Sequence, residues 1–459
     1  MRTSREARLR HAAYYSTVLR TAQKFYDRGG KNIDRGLRLF DLEWSNIALG
    51  QAWAENYAQE DDVADVLCSA YANLGATMLM LRLHPQERVH WLQTALNAIQ
   101  LSNYRDAEAA CLSNLGAAYA DLGEMRRAVE LHEQALAIDR KSGDRRGEAS
   151  DLGNLGNEYL SLGELARAVE HYEQALAIYR EFKNRRDEAR TLGNLGSAYL
   201  EMGEVKRAIE RYKQQMTISR EIGDRRGEAV GLGNLGIAYD ESGEIELSVE
   251  CYQQQLAIAR KIGDRRTEGD ALGNLGLSLM YVGETQTALE CHNQALAISR
   301  ETGDRRGESR TLGNIGLAYV DLDQTEIATE FFEQWRAIAR EIGDLQGEAN
   351  AISNLGDVCY FASESNRAIE YYQLALNILR QIGDRQGEGS VLFNESKALD
   401  QLGKRDEAIT CAQAALEVLR SIGHPRAVVV SEQLDTWMMT GTRISPEILP
   451  MDNSGDLPR

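Results

Sequence analysis

The 459-residue chain is short of proline, of cysteine and of positive charge, and each shortage narrows what it can be. Only five prolines occur, at Pro85, Pro425, Pro446, Pro450 and Pro458, so nothing between 86 and 424 forbids continuous helix. The six cysteines (Cys68, Cys111, Cys251, Cys291, Cys359 and Cys411) form no CxxC pair and no metal-ligand spacing with the seven histidines. Neither a disulfide framework nor a zinc site is signalled, and reduced, mostly buried thiols are the reading. No apolar run approaches the roughly 20 residues that cross a bilayer, and the basic N-terminus lacks the apolar stretch of a secretory signal. A cytoplasmic protein without a membrane partner is expected. Lys and Arg number 52 against 70 Asp and Glu, a net charge of -18 that disfavours general nucleic-acid binding. Residues 1–38 break this balance, with ten Lys/Arg and three Asp/Glu, and form a separate electrostatic object.

Catalytic signatures are also missing. There is no GxxxxGK[ST] phosphate loop, no GxSxG element and no cysteine with a recognisable histidine partner. A protein that is not an enzyme and takes no cofactor or metal is expected, with His132, His171 and His292 as packed side chains of helices.

What the chain has in abundance is repetition. An asparagine opening a segment such as Asn-Leu-Gly recurs at Asn114, Asn154, Asn194, Asn234, Asn274, Asn314, Asn354 and Asn394, a strict period of 40. A divergent copy surrounds Asn73. Within residues 144–183, Asp144 can cap a first helix with apolar positions Leu152, Leu155, Gly156 and Tyr159. Gly163 ends it, and Ala168, Val169, Tyr172, Ala175, Leu176 and Ile178 make the stripe of a second helix. One such pair cannot bury both stripes, so neighbours must stack.

Leu155, Gly156, Tyr159, Ala168, Tyr172 and Ala175 match the signature of the tetratricopeptide repeat, and the resemblance covers roughly residues 66–422. It implies an all-α, right-handed superhelical solenoid of stacked helix-turn-helix units. The unit departs from the usual length, and Gly-Asp-Arg-Arg-Gly-Glu, as at Gly223–Glu228, replaces the closing proline. This long form resembles the arrays of animal spindle-orientation adaptors, and the arms of bacterial signal-transduction ATPases and caspase-like (CHAT) proteases. His11, Tyr14, Tyr15, Leu39, Glu43, Asn46, Leu49 and Trp53 resemble the connector between ATPase and repeats in those bacterial regulators. The organisation expected is a basic helical N-terminal cap over 1–60, a divergent unit over 61–103 and eight regular units over 104–423. A capping helix over 424–440 and a disordered tail over 441–459 complete it.

First helices should line the inner wall of such an array. The resemblance gives Asn114, Asn154, Asn194, Asn234, Asn274, Asn314 and Asn354 the role of gripping a ligand backbone, for which an amide has both donor and acceptor. Bonds between adjacent helices are the competing reading of the same residues. Asn394 stands apart because Phe393 and Lys397 replace small neighbours. Gly153, Gly193, Gly233, Gly273 and Gly313 argue for space cleared on the wall, with close helix packing as the alternative. Specificity should come from an apolar strip, Ile237, Leu277, Leu317, Met280 and Tyr281, beside Arg190 and Arg310. The Arg-Arg pairs of the inter-unit turns read as a solvated ladder of charge pairs. The expected function is a non-catalytic adaptor or sensor that holds an extended or helical segment of another protein. The alternative is a regulatory subunit or detached sensor arm controlling a signalling ATPase or CHAT-type protease on another chain. Self-association through the basic N-terminal segment stays open.

Overall fold

The structure is a computed structural model that describes residues 2–28, 31–58, 60–102 and 105–440. The expected tail over 441–459 lies outside the described residues. Every regular element is helical. The chain opens with α1 (Arg2–Asp27), α2 (Lys31–Tyr57), α3 (Asp62–Leu74), α4 (Ala76–Arg82) and α5 (Pro85–Ser102). Eight hairpins follow: α6 (Arg105–Asp121) with α7 (Met125–Ser142), α8 (Arg145–Ser161) with α9 (Leu165–Glu181), α10 (Arg185–Glu201) with α11 (Val205–Glu221), and α12 (Arg225–Ser242) with α13 (Ile245–Ile262). Then come α14 (Arg265–Tyr281) with α15 (Thr285–Thr302), α16 (Arg305–Asp321) with α17 (Thr325–Glu341), α18 (Leu345–Phe361) with α19 (Ser365–Ile382), and α20 (Arg385–Gln401) with α21 (Arg405–Ser421). A final helix, α22 (Arg426–Thr440), packs on α21. The chain divides into two compact units, Met1–Gly227 and Glu228–Arg459.

The local reason for each hairpin is the same. A residue with positive φ closes each turn: Gly163 at 73° ends α8, and Gly303 at 70° ends α15. Asp or Asn then caps the next first helix, as when Asp304 accepts from the Gly307 amide at 2.9 Å and Asp144 from the Gly147 amide at 3.0 Å. The two helices of a hairpin meet where a glycine faces a ring. A Cβ on Gly156 would sit 2.4 Å from Tyr172, and one on Gly236 2.4 Å from Tyr252, so only glycine admits the fully buried tyrosine. The eighth hairpin inverts the pair, with Ser396 in place of the glycine and Ala412 in place of the ring, both buried. Burying each such ring contributes on the order of 2–3 kcal/mol.

Successive hairpins are joined by an ion-pair clamp. Glu188, 4% exposed, is held by Arg180 from the preceding second helix at 3.0 Å and by Arg185 of its own helix at 2.7 Å. Arg185 also reaches Glu221. The same arrangement recurs at Glu148, Glu268 and Glu308, and in part at Glu388. The Arg-Arg turns are thus not simply solvated: Arg145, Arg185, Arg265 and Arg305, the first arginines of their pairs, each bind a buried carboxylate, while the second, as at Arg186 and Arg306, stays exposed.

The N-terminal unit starts with α1 and α2 packed together and with α1 lying on α3. Tyr71 is fully buried and donates to the Ala12 carbonyl at 2.7 Å. Leu19 fills the space at Gly75, where a Cβ would lie 2.5 Å from its Cδ1, and there the chain bends by 65° between α3 and α4. The first helix of the divergent unit is therefore broken in two. Among the described residues no single helix is long and apolar enough to cross a membrane; the bent α3/α4 pair passes on length and composition, yet its Ala64, Leu67, Tyr71 and Met78 are core residues.

Candidate functional site

Within each unit, successive first helices touch one another directly, as α6 with α8 and α14 with α16. That contact brings each position of the asparagine row within reach of the neighbouring first helix, as Asn194 is of Asn157. The two units carry different versions of it.

In the N-terminal unit the row is largely tied. Asn194 donates to Asn157 Oδ1 at 2.9 Å, and the Tyr172 hydroxyl donates to the same oxygen at 2.7 Å. Asn114 donates to Asn73 Oδ1 at 3.0 Å. Asn154 is half-buried and makes no side-chain hydrogen bond among the described residues. Arg190 is exposed and pairs with Asp187 at 2.9 Å.

The C-terminal unit repeats the tied arrangement at its far end. Asn394 donates to Asp357 Oδ1 at 3.0 Å, and Tyr372 donates to the same oxygen at 2.6 Å. Burial raises the Asp357 pKa, and burial lowers that of nearby Lys397. Asn354 turns back to the Asn350 carbonyl at 2.9 Å, and Asn314 is buried at 3% exposure. Asn234 and Asn274 differ: both are half-buried, and neither side-chain amide has a hydrogen-bond partner among the described residues. The reason is legible three residues after each asparagine. Asn157 and Asp357 offer an acceptor to the next asparagine, whereas Ile237 offers none to Asn274, and Ser197, before Asn234, has its hydroxyl engaged with the Gly193 carbonyl and the Tyr212 hydroxyl.

The apolar strip of the sequence reading falls in this C-terminal unit. Ile237, Leu277, Leu317 and Met280 are half-buried, and Tyr281 is 54% exposed. Arg310 pairs with Asp270 at 3.0 Å, linking α16 to α14. Arg190 belongs to the other unit, so the expected company of Arg190, Arg310 and the strip is divided between units. The glycine row also has a different cause from the space-clearing one. Side chains of the second helices occupy the space beside three of them: a Cβ would lie 2.7 Å from Gln215 at Gly193, 2.6 Å from Gln255 at Gly233 and 2.9 Å from Trp335 at Gly313. Only Gly153 and Gly273, which have Ala175 and Ala295 in the matching positions, face open space.

All six cysteines are free thiols, four of them buried, and among the described residues no group of three or more His, Cys, Asp or Glu side chains could hold a metal ion. His132 and His292 are fully buried beside Gly116 and Gly276, in the ring position of their hairpins. Two features escaped the sequence reading: the buried clamp glutamates, and the Asp151 and Glu158 carboxylates that flank His132, at 3.5 Å and 3.1 Å. The charge of Asp151 and Glu158 on a helix face otherwise lined by small and apolar residues was the available signal.

The profile of the tetratricopeptide repeat matches residues 108–181, 187–261, 267–341 and 347–421. No curated protein matches. Among solved structures, the chain is similar to a signal-transduction ATPase with numerous domains and a tetratricopeptide-repeat sensor from Pyrococcus horikoshii, at 13% identity and TM-score 0.58, over 92% of this chain and 65% of that one. It is similar to the apo form of the quorum sensor NprR from B. thuringiensis, at 13% identity and TM-score 0.54, over 74% of this chain and 95% of that one. Aspartyl phosphate phosphatase F from Bacillus subtilis matches at 13% identity and TM-score 0.53, over 79% of this chain and 94% of that one. At these identities the likeness is one of fold.

Proposed function

The chain belongs to the tetratricopeptide-repeat family, and from that premise we propose a non-catalytic scaffold or sensor that binds a peptide segment of another protein along the first helices α12, α14 and α16. One observation carries the reading. Asn234 and Asn274 hold amides without partners beside Ile237, Leu277, Leu317, Met280 and Tyr281, while Asn194 and Asn394 are spent on bonds between helices. Free amides pair with a ligand's backbone whatever its side chains, and the apolar strip supplies the selective part. Because the helices are ordered beforehand, little entropy is lost on this side of the complex.

The experiment is affinity capture from a lysate of the source organism with wild type, Asn234→Ala/Asn274→Ala and Asn194→Ala. A protein kept by wild type and Asn194→Ala but lost by the double variant supports the groove. Equal capture by all three removes it. Asn114, Asn154, Asn314, Asn354, Arg190 and Arg310 are the less favoured members of the proposed site, since most are buried or already bonded.

A second reading, a regulatory subunit or detached sensor arm for a signalling ATPase or CHAT-type protease on another chain, draws on the fold shared with the sensor-bearing ATPase across 92% of this chain. Copurification of an ATPase or protease whose rate changes on adding this protein is the outcome it requires.

A further inference from the structure

Each hairpin has a slot between the residue that precedes the row asparagine and the second-helix residue facing it, and the hairpins fill it differently. Gln215 fills it at Gly193, Gln255 at Gly233 and Trp335 at Gly313, each from the second helix. In α20/α21 the bulk comes from the first helix instead, with buried Phe393 in the position facing Ala415. Ser113 and Ser353 put a small side chain there, opposite Ala135 and Ala375. Two hairpins have neither: a Cβ on Gly153 or Gly273, which face Ala175 and Ala295, would meet nothing within 4 Å. Gly153 is half-buried, whereas Gly273 is buried, so the space beside Gly273 is a recess and not open surface.

A recess alone would be a packing defect, but this one adjoins an unpartnered polar group. One turn along the same helix pair, His292 lies fully buried beside Gly276, and neither ring nitrogen has a hydrogen-bond partner among the described residues. Burial lowers its pKa, so the ring is neutral and offers one donor and one acceptor. Hairpin α6/α7 shows that a group in the slot reaches such a ring. There Ser113, in the place of Gly273, brings its Oγ to 3.5 Å from Nδ1 of His132, which stands in the place of His292. Hairpin α16/α17 shows the size the slot accepts: Trp335 occupies it, its ring 6.3 Å from that of Phe332, again in the place of His292. At Gly153 no ring is left waiting, because Tyr172 donates to Asn157.

We propose that the recess between Gly273 and Ala295 is the anchor pocket of the groove and takes one aromatic side chain of the partner peptide, a tryptophan or tyrosine whose N–H or O–H donates to His292. The inference rests on the peptide-binding reading of Asn234 and Asn274 and adds which ligand residue decides the fit. Asn274 directly follows Gly273, so the amide that holds the ligand's backbone stands beside the pocket that buries its side chain. Tryptophan and tyrosine combine a large apolar body with one donor, and a donor here satisfies a nitrogen whose burial is otherwise uncompensated. An aromatic anchor in a desolvated pocket concentrates affinity in one residue.

The test uses the full chain. A displayed library of random peptides is selected on wild type, and the enriched sequences are labelled and read by fluorescence anisotropy against wild type, Ala295→Gln, Ala295→Trp and Asn234→Ala/Asn274→Ala. The two Ala295 variants copy the packing that Gln255 and Trp335 make in the adjacent hairpins, so one serves if the other fails to fold, and both leave charge and amides untouched. Enriched peptides should share one Trp or Tyr. Its replacement by Ala, and the filling of the recess, should each weaken binding roughly tenfold or more. Its replacement by Phe, which keeps the ring and removes the donor, should weaken binding as well, and the wild-type complex should show shifted His292 ring signals by NMR. If the folded Ala295 variants bind as wild type does while the asparagine variant does not, or if the peptides share no aromatic residue, the anchor is overturned and the groove stands. Equal binding by all variants, or no enrichment at all, overturns both.

Discussion

Two histidines in one structural position are driven to opposite charge states by their neighbours. His132 and His292 are both fully buried in second helices. His132 meets Asp151 and Glu158 of the following first helix, while His292, at the same place in its own hairpin, meets Thr311 and Ala318 at the matching positions. Burial alone would lower His132, but its contacts with Asp151 and Glu158 outweigh this and raise its pKa from 6.5 to about 9. Burial lowers His292 to about 4, with the Arg310 charge adding to it. The His132 contribution to stability is therefore complete below pH 6.5 and lost as pH rises through about 9. That of His292 is complete above pH 6.5 and lost as pH falls through about 4. Each is on the order of 3 kcal/mol at most. Histidine ring titrations by NMR, assigned with His132→Gln and His292→Gln, should show midpoints on opposite sides of neutrality; two midpoints near 6.5 would remove both assignments. The two histidines were legible as core residues from their place in the repeat. Their charges were not, because a helix face supplies the acids only after the next hairpin docks. The asparagine row was visible in the same way, while the acceptors Asn157 and Asp357 that tie part of it lie on a neighbouring helix.

Turns and joints carry the information at the level of the helix. Most turns place glycine at the left-handed position, but Lys183 takes it at φ 55°, with Asp323 and Ser363 doing so elsewhere. Lysine has no short side chain to bond locally there, so Lys183→Gly should raise stability by about 0.5–1 kcal/mol, net of glycine's greater freedom when unfolded. Urea denaturation decides it, and a loss of stability would contradict the turn assignment. In the joint, Glu188→Gln should cost about 1–3 kcal/mol, because two half-exposed arginines lose a buried carboxylate. Thermal unfolding with an unchanged midpoint would mean that the clamp is decorative. Helix positions and turns could be read from the 40-residue period, since caps, glycines and stripes are all local. The clamp could not, because Arg180 and Glu188 meet only when the turn between α9 and α10 has formed. Nor could the break at Gly75, which depends on Leu19 reaching in from α1.

Across the whole chain, contacts run almost entirely between sequence neighbours, which makes stability a sum of hairpins and the interfaces between them. Tyr372→Ala, which empties the space beside Gly356, should cost about 3–5 kcal/mol locally. Hydrogen exchange should then quicken in α17 to α20 and stay unchanged in α8 to α10; a uniform change would show long-range cooperativity. A chain assembled through one recurring joint also faces an ambiguity that a globular core does not. The end of α9 offers Arg180 to Glu188, yet chemically it would accept Glu268 or Glu308 as readily, so a folding chain could skip a hairpin and close on the wrong one. Such a skipped form would satisfy the clamp and the ring-to-glycine contact equally well. What breaks the degeneracy is the minority of pairs that occur once, such as Arg310 with Asp270, and His132 with Asp151 and Glu158. These irregular contacts act as an address system, and erasing them by consensus substitution would leave the joints intact and the order of the hairpins unprotected.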